Sequence, residues 1–166
     1  MIKSREIEIF CLESVAKMTE YLRINYDNPD FDVRVRLDFS PYRTRSWGGQ
    51  RNNRNFISLA LNRYTIASLS DNPIDFKEYS SFSYHPIIGD VNNVHWKKAL
   101  LALIAHELAH AAQFSDVGSN VVAASNLFNK DKSGHGFVWK KIYQSLRINF
   151  VNNMNFDRSD FCGKGN

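Results

Sequence analysis

The sequence predicts an α+β fold, a small sheet of about three strands packed on helices, and three observations carry that expectation. An apolar stripe recurs at helical spacing between Ser4 and Tyr26. Apolar and charged residues alternate strictly from Phe31 to Phe39. The run Ala99 to Phe114, ALLALIAHELAHAAQF, reads as a helix apolar on every side and interrupted only by His106, Glu107, His110 and Gln113. At 166 residues the chain fits one domain, residues 1–150, followed by a tail over 151–166.

In chain order, Ile7, Cys11, Val15, Met18 and Leu22 form the buried stripe of the first helix, which Asp27-Asn28-Pro29-Asp30 stops. Phe31, Val33, Val35, Leu37 and Phe39 then face one side of a half-buried strand, and Asp32, Arg34, Arg36 and Asp38 the other. Ser40 to Arg54 reads as a polar loop containing Trp47-Gly48-Gly49. Asn55 to Asn62 reads as a second strand with Ile57, Leu59 and Leu61 on one face. Asp71-Asn72-Pro73 breaks the chain, and Glu78 to Tyr84 is the expected third strand. His85-Pro86 and Gly89-Asp90 mark a loop. Asn92 or Asn93 is the expected N-cap of the long apolar helix, and Gly118 suits its exit. Val121 to Phe128 fits a short helix. Ser133 is the expected cap of a last helix ending near Asn149, with His135, Trp139, Ile142 and Leu146 on its inward stripe. The Asn- and Gly-rich tail from Val151 reads as loosely held.

Composition narrows the classes. The first residues lead into a charged amphipathic segment, so no secretory signal is expected, and no apolar run is long enough to span a bilayer. Cys11 and Cys162 make neither a disulfide framework nor a zinc ribbon. A reducing location, cytoplasmic or nucleoid-associated, is therefore expected. The formal charge of +4 and the pI near 9.1 permit a nucleic-acid partner without requiring one.

Ionisable groups are expensive to bury unless they are paired or bind metal. His106 and His110 lie one helical turn apart on one face, where both can ligate one Zn²⁺, with Glu107 beside them to handle water. Catalytic zinc usually takes a third protein ligand. The extended pattern HExxHxxGxxH fails, because Gln113 stands at its glycine and Asp116 at its histidine. No glutamate follows Glu107 anywhere in the chain. His135, in Ser133-Gly134-His135-Gly136 at the mouth of the last helix, is the expected third ligand, and Asp116 remains the alternative. His85 and His95 read as surface or pocket residues.

HELAH followed by Asn129-Lys130-Asp131-Lys132-Ser133-Gly134-His135-Gly136-Phe137-Val138-Trp139 resembles the SprT-like (Spartan-type) zinc metalloproteases. Gly48-Gly49 and the Ile57 to Asn62 run are similar to the upstream part of that family. The likeness runs from about Phe31 to Leu146. It implies a zincin-like, minimal gluzincin-type domain. It also implies an HExxH endopeptidase with Zn²⁺ on His106, His110 and His135, Glu107 as general base and acid, and a part in DNA–protein crosslink repair. Two departures stand out. Asp116 to Phe128 reads as an insertion, and neither a C-terminal zinc ribbon nor a long regulatory tail is expected. Tyr143, His85 and the arginine-rich loop are the candidates for stabilising the oxyanion. The Asn55 to Asn62 strand is the candidate edge for pairing with extended substrate.

Arg34, Arg36, Arg43, Arg45, Arg51, Arg54 and Arg63 crowd one stretch whose only acids are Asp32 and Asp38, with Tyr42 and Trp47 among them. Arginines bind phosphate and aromatics stack on unpaired bases. Arg34, Arg36, Arg43, Arg45, Trp47, Arg51 and Arg54 are thus the candidate nucleic-acid contacts. Lys130, Lys132, Lys140 and Lys141 would extend the patch. The resemblance favours single-stranded or damaged DNA as partner. The expected protein is a monomeric, membrane-free zinc endopeptidase acting on DNA-bound proteins. The alternatives are a non-proteolytic DNA-binding module with structural zinc, against which an intact Glu107 argues, and a zinc peptidase with no DNA role.

Overall fold

The computed structural model describes residues 2–70, 72–78, 80–124 and 134–156. Along the chain these form α1 (Ile2–Asn25), β1 (Arg34–Asp38), β2 (Trp47–Arg51), β3 (Arg54–Ala60), α2 (Asn62–Ser68), β4 (Ile74–Phe76) and β5 (Val91–Val94). They continue with α3 (Trp96–Gln113), α4 (Asp116–Ala124) and α5 (Phe137–Phe150). The fold is α+β.

Helix α3 organises the rest because it has no face for water. All of its 18 residues except Lys97, Lys98 and His110 are buried. The other four helices and strands of both sheets cover it. Helix α1 lays its expected stripe into the same core, with Ile7, Cys11, Met18 and Leu22 wholly buried and Val15 nearly so. The inward stripe of α5 is likewise present, with Trp139, Ile142 and Leu146 fully buried, joined by Tyr143.

The main sheet has three strands in the order β1-β3-β2, with β1 parallel and β2 antiparallel to β3. Its third strand is not the segment Glu78 to Tyr84, which instead holds a turn of 3-10 helix at Ser80–Phe82. It is Trp47–Arg51, inside the expected loop, because Asn52 and Asn53 both take left-handed backbone (φ 53° and 61°) and close a two-residue hairpin onto Arg54. The glycines that made this stretch look loop-like are there for contact. A Cβ on Gly48 would sit 2.0 Å from the carbonyl oxygen of Glu107, so only glycine lets β2 lie this close to α3. The sheet also places β3 in the centre. Asn55 to Asn62 is therefore not an exposed edge, and among the described residues β1 and β2 are the edges.

Several expected boundaries shift. Strand β1 is shorter than Phe31 to Phe39, although Phe31 is buried and Val33, Val35, Leu37 and Phe39 pack on the core as the alternation predicts. Asn92 and Asn93 belong to β5, which pairs with β4 in a two-stranded sheet. The N-cap of α3 is His95, whose Nδ1 accepts from the Lys97 amide at 3.0 Å. Gly118 does not end α3. It lies in α4, against the Gln113 carbonyl. Helix α4 starts at Asp116, ahead of the expected Val121, and the expected stretch past Ala124 lies outside the described residues, as does Ser133. Gly136 occupies the N-cap of α5. The start of the tail is packed: Val151 is buried, Asn152 bonds Arg147 and Ile87, and the Phe156 ring meets those of Phe10 and His95. No helix among the described residues is long and apolar enough to cross a membrane.

The Gly48 contact gives a direct test. Gly48→Ala should destabilise the fold by about 1–3 kcal/mol through overpacking. Gln50→Ala, at an exposed position of the same strand, should stay within about 0.5 kcal/mol of wild type. Urea denaturation midpoints read the difference.

Candidate metal centre

The i, i+4 spacing brings His106 and His110 onto one face of α3, and the turn through Gly134 delivers His135 to them from the mouth of α5. Gly134 takes φ 43°, a left-handed conformation that favours glycine. The three Nε2 atoms converge: His110 to His135 is 3.0 Å and His135 to His106 is 3.4 Å. One ligand atom from each lies within 4.8 Å of the others, and the cluster is close enough to hold a metal ion. Tetrahedral zinc at about 2.0–2.1 Å from each nitrogen sets its ligands about 3.3 Å apart, so the donor set fits. Asp116 is exposed at the start of α4 and is not part of the cluster.

Trp139 ties the three rings together. Its ring centroid lies 4.9 Å from that of His106, 5.2 Å from His110 and 4.5 Å from His135, and its indole N–H donates to the His106 carbonyl at 3.2 Å. Burial pushes His110 down to about 3 and His135 down to about 4, with His106 adding to both shifts. Both imidazoles are therefore neutral near pH 7, and a neutral ring nitrogen can ligate a cation.

The outer nitrogen of His106 is held as a metal ligand requires. Nδ1 of His106 faces Glu78, 3.1 Å from Oε2 and 3.3 Å from Oε1. The Glu78 side chain is fully buried and accepts from the Tyr143 hydroxyl. Burial and the Glu78 charge hold the Tyr143 phenol well above its ordinary range, so it remains a donor. Arg147 donates to the Tyr143 oxygen at 2.9 Å, to the Gly89 carbonyl at 3.0 Å and to Asn152 at 2.8 Å. The Gln113 side-chain nitrogen stands 3.0 Å from Nδ1 of His110 and donates to the Gly134 carbonyl at 2.9 Å, and among the described residues its buried Oε1 has no hydrogen-bond partner.

Glu107 is 7% exposed beside His106. Burial pushes its carboxyl up to about 7, a shift that His106 opposes and Glu78 reinforces. Such a group changes protonation near neutral pH. A cleft lined by Glu107, His106 and Glu78 opens beside it.

The oxyanion candidates fare unevenly. Tyr143 is fully buried and engaged with Glu78 and Arg147. His85 is exposed, and its Nδ1 accepts from the amides of Ile87 and Ile88. Of the arginine-rich stretch, the strand register puts Arg34, Arg36, Arg51 and Arg54 on the outer sheet face with Trp47 and Phe56. The Arg51 guanidinium lies 5.4 Å from the Trp47 ring and 4.9 Å from that of Phe56. Arg34, Arg51 and Arg54 share a recess with Phe56. Arg36 and Arg43 instead pair with Asp38 at 3.6 and 3.3 Å, and Arg43, Arg45 and Tyr42 stand exposed on the preceding loop. Lys140 and Lys141 lie over the rings of Phe82 and Phe137, and Lys130 and Lys132 fall outside the described residues.

Glu78 and Phe56 are the residues that sequence reasoning missed. Glu78 is the one glutamate between Glu20 and Glu107. A search for a carboxylate upstream of the histidine pair, rather than only downstream, would have raised it. No family model, curated protein or solved structure matches the chain.

Removing the Glu78 carboxylate should loosen His106. Glu78→Ala should weaken zinc binding about 10–100-fold in competition with a chromophoric chelator. An affinity equal to wild type would show that Glu78 does not orient the ligand.

Proposed function

We propose that this chain is a zinc-dependent endopeptidase, of the SprT-like kind its motifs resemble and zincin-like in arrangement, and that it acts on DNA-bound proteins. The observation that supports the reading best is the convergence of three imidazole nitrogens with a buried glutamate next to one of them on the same helix. Zinc held there supplies electrophilic polarisation of a scissile carbonyl and acidifies water. The chain's own residues do the rest. His106, oriented by Glu78, and His110, steadied by Gln113, present fixed lone pairs. Glu107 takes a proton from the attacking water and returns it to the leaving amine nitrogen. Edge strand β2, packed by Gly48 on the Glu107 backbone, is the edge along which extended substrate pairs.

The DNA role rests on the outer sheet face. Arg34, Arg51 and Arg54 have no acidic partner among the described residues, and Trp47 with Phe56 offers rings for stacking. The same observation is what a DNA-binding module would show, but a buried Glu107 beside three converging imidazoles favours catalysis over a purely structural zinc.

The test is cleavage of casein and of a histone by zinc-loaded protein, with and without single-stranded DNA. Glu107→Gln should lower activity by about 10²–10⁴ while keeping zinc. Charge removal at Arg34, Arg51 and Arg54 should abolish stimulation by DNA and flatten the salt dependence of oligonucleotide binding. Near-wild-type turnover in Glu107→Gln would refute the peptidase reading. Equal cleavage without DNA would leave a zinc peptidase with no DNA role.

A further inference from the structure

The cleft beside His106 and Glu107 has a wall chemistry that bears on which substrate fits. It measures about 340 Å³. Leu103 lines it one helical turn before Glu107, so the cleft starts at the site and follows α3. Its floor is apolar, formed by Ala60, Tyr64, Phe76 and Leu103, each under a tenth exposed. Two cations stand in its lining, Arg63 and Lys77. Lys77 is already answered: its Nζ is 2.7 Å from the Asn92 side-chain oxygen and 3.8 Å from the carboxylates of both Asp75 and Asp90.

Arg63 is different. Among the described residues no carboxylate lies within ion-pair distance of it. Its exposed guanidinium is tethered at two points. One N–H donates to the Asp75 carbonyl on β4, and the carbon at its centre lies 5.4 Å over the ring of Tyr64. Arg63 therefore bridges α2 and β4 at the cleft with donors to spare. Glu78, the other carboxylate lining the cleft besides Glu107, is taken up by His106 and Tyr143. A guanidinium held in advance loses little freedom on pairing, and its fork matches a carboxylate.

We propose that Arg63 makes this cleft a specificity pocket for an acidic side chain next to the scissile bond, glutamate ahead of aspartate. The longer stem of glutamate covers more of the apolar floor while its carboxylate meets Arg63. The inference rests on the peptidase reading and deepens it.

The experiment uses the zinc-loaded full chain and peptides that differ only at positions flanking the cleavage site. One flanking position should favour glutamate over glutamine by roughly tenfold or more in kcat/KM, as a charge-assisted hydrogen bond gives. Arg63→Ala should bring that ratio close to one, and Arg63→Glu should turn it toward lysine. A second readout needs no turnover. A labelled glutamate peptide should bind Glu107→Gln protein about tenfold more tightly than it binds the Glu107→Gln, Arg63→Ala double variant. Cleavage with the same glutamate-to-glutamine ratio in wild type and Arg63→Ala overturns this inference and leaves the peptidase reading standing. Absence of any cleavage by wild type overturns both.

Discussion

Three imidazoles packed around one indole are the constraint on which the rest of this structure depends. Trp139 reaches the rings of His106, His110 and His135 at once and bonds the α3 backbone. That contact fixes how α5 docks on α3, which in turn places the Tyr143 hydroxyl and Arg147 against Glu78 and Gly89. Polar groups in such a setting must be satisfied as a network, because each partner lost leaves another buried and unpaired. Glu78, Tyr143 and Arg147 form such a network on one side, and Gln113 bonds the Gly134 carbonyl on the other.

The same arrangement explains why α3 is so apolar elsewhere. A helix covered on nearly all sides has little water to share the cost of a carboxyl group, and Glu107 shows the consequence in a pKa pushed up to about 7. The approach of β2 at Gly48 closes the helix on one side. The cleft lined by Leu103, His106 and Glu107 opens it on another. Stability and access thus meet along one helix.

Local patterns made part of this legible in the sequence. The stripe of α1, the alternation through Val33, Val35 and Leu37, and the pairing of His106 with His110 are periodicities within a single element. His135 was legible because it lies beside glycines just before an apolar stripe. Glu78 was not, since it sits in an aperiodic segment and gains its meaning only from α3 and α5 packing against it. Strand β2 was hidden because Gly48 and Gly49 have low strand propensity in isolation, while Gly48 is required by tertiary contact with Glu107 and Gly49 lies under the Trp47 ring of its own strand. Asn52-Asn53 was the available hairpin signal. His95 was missed as a cap because asparagines just upstream are the commoner choice, yet they are spent on β5.

The central claim is that His106, His110 and His135 together bind one zinc ion. Equilibrium dialysis of the metal-free protein against zinc, with metal content read by mass spectrometry, tests it most directly. The account predicts one tightly held zinc per chain in wild type and loss of that zinc in His135→Ala. Wild type that takes up no zinc, or His135→Ala that keeps a full equivalent at wild-type affinity, would contradict it.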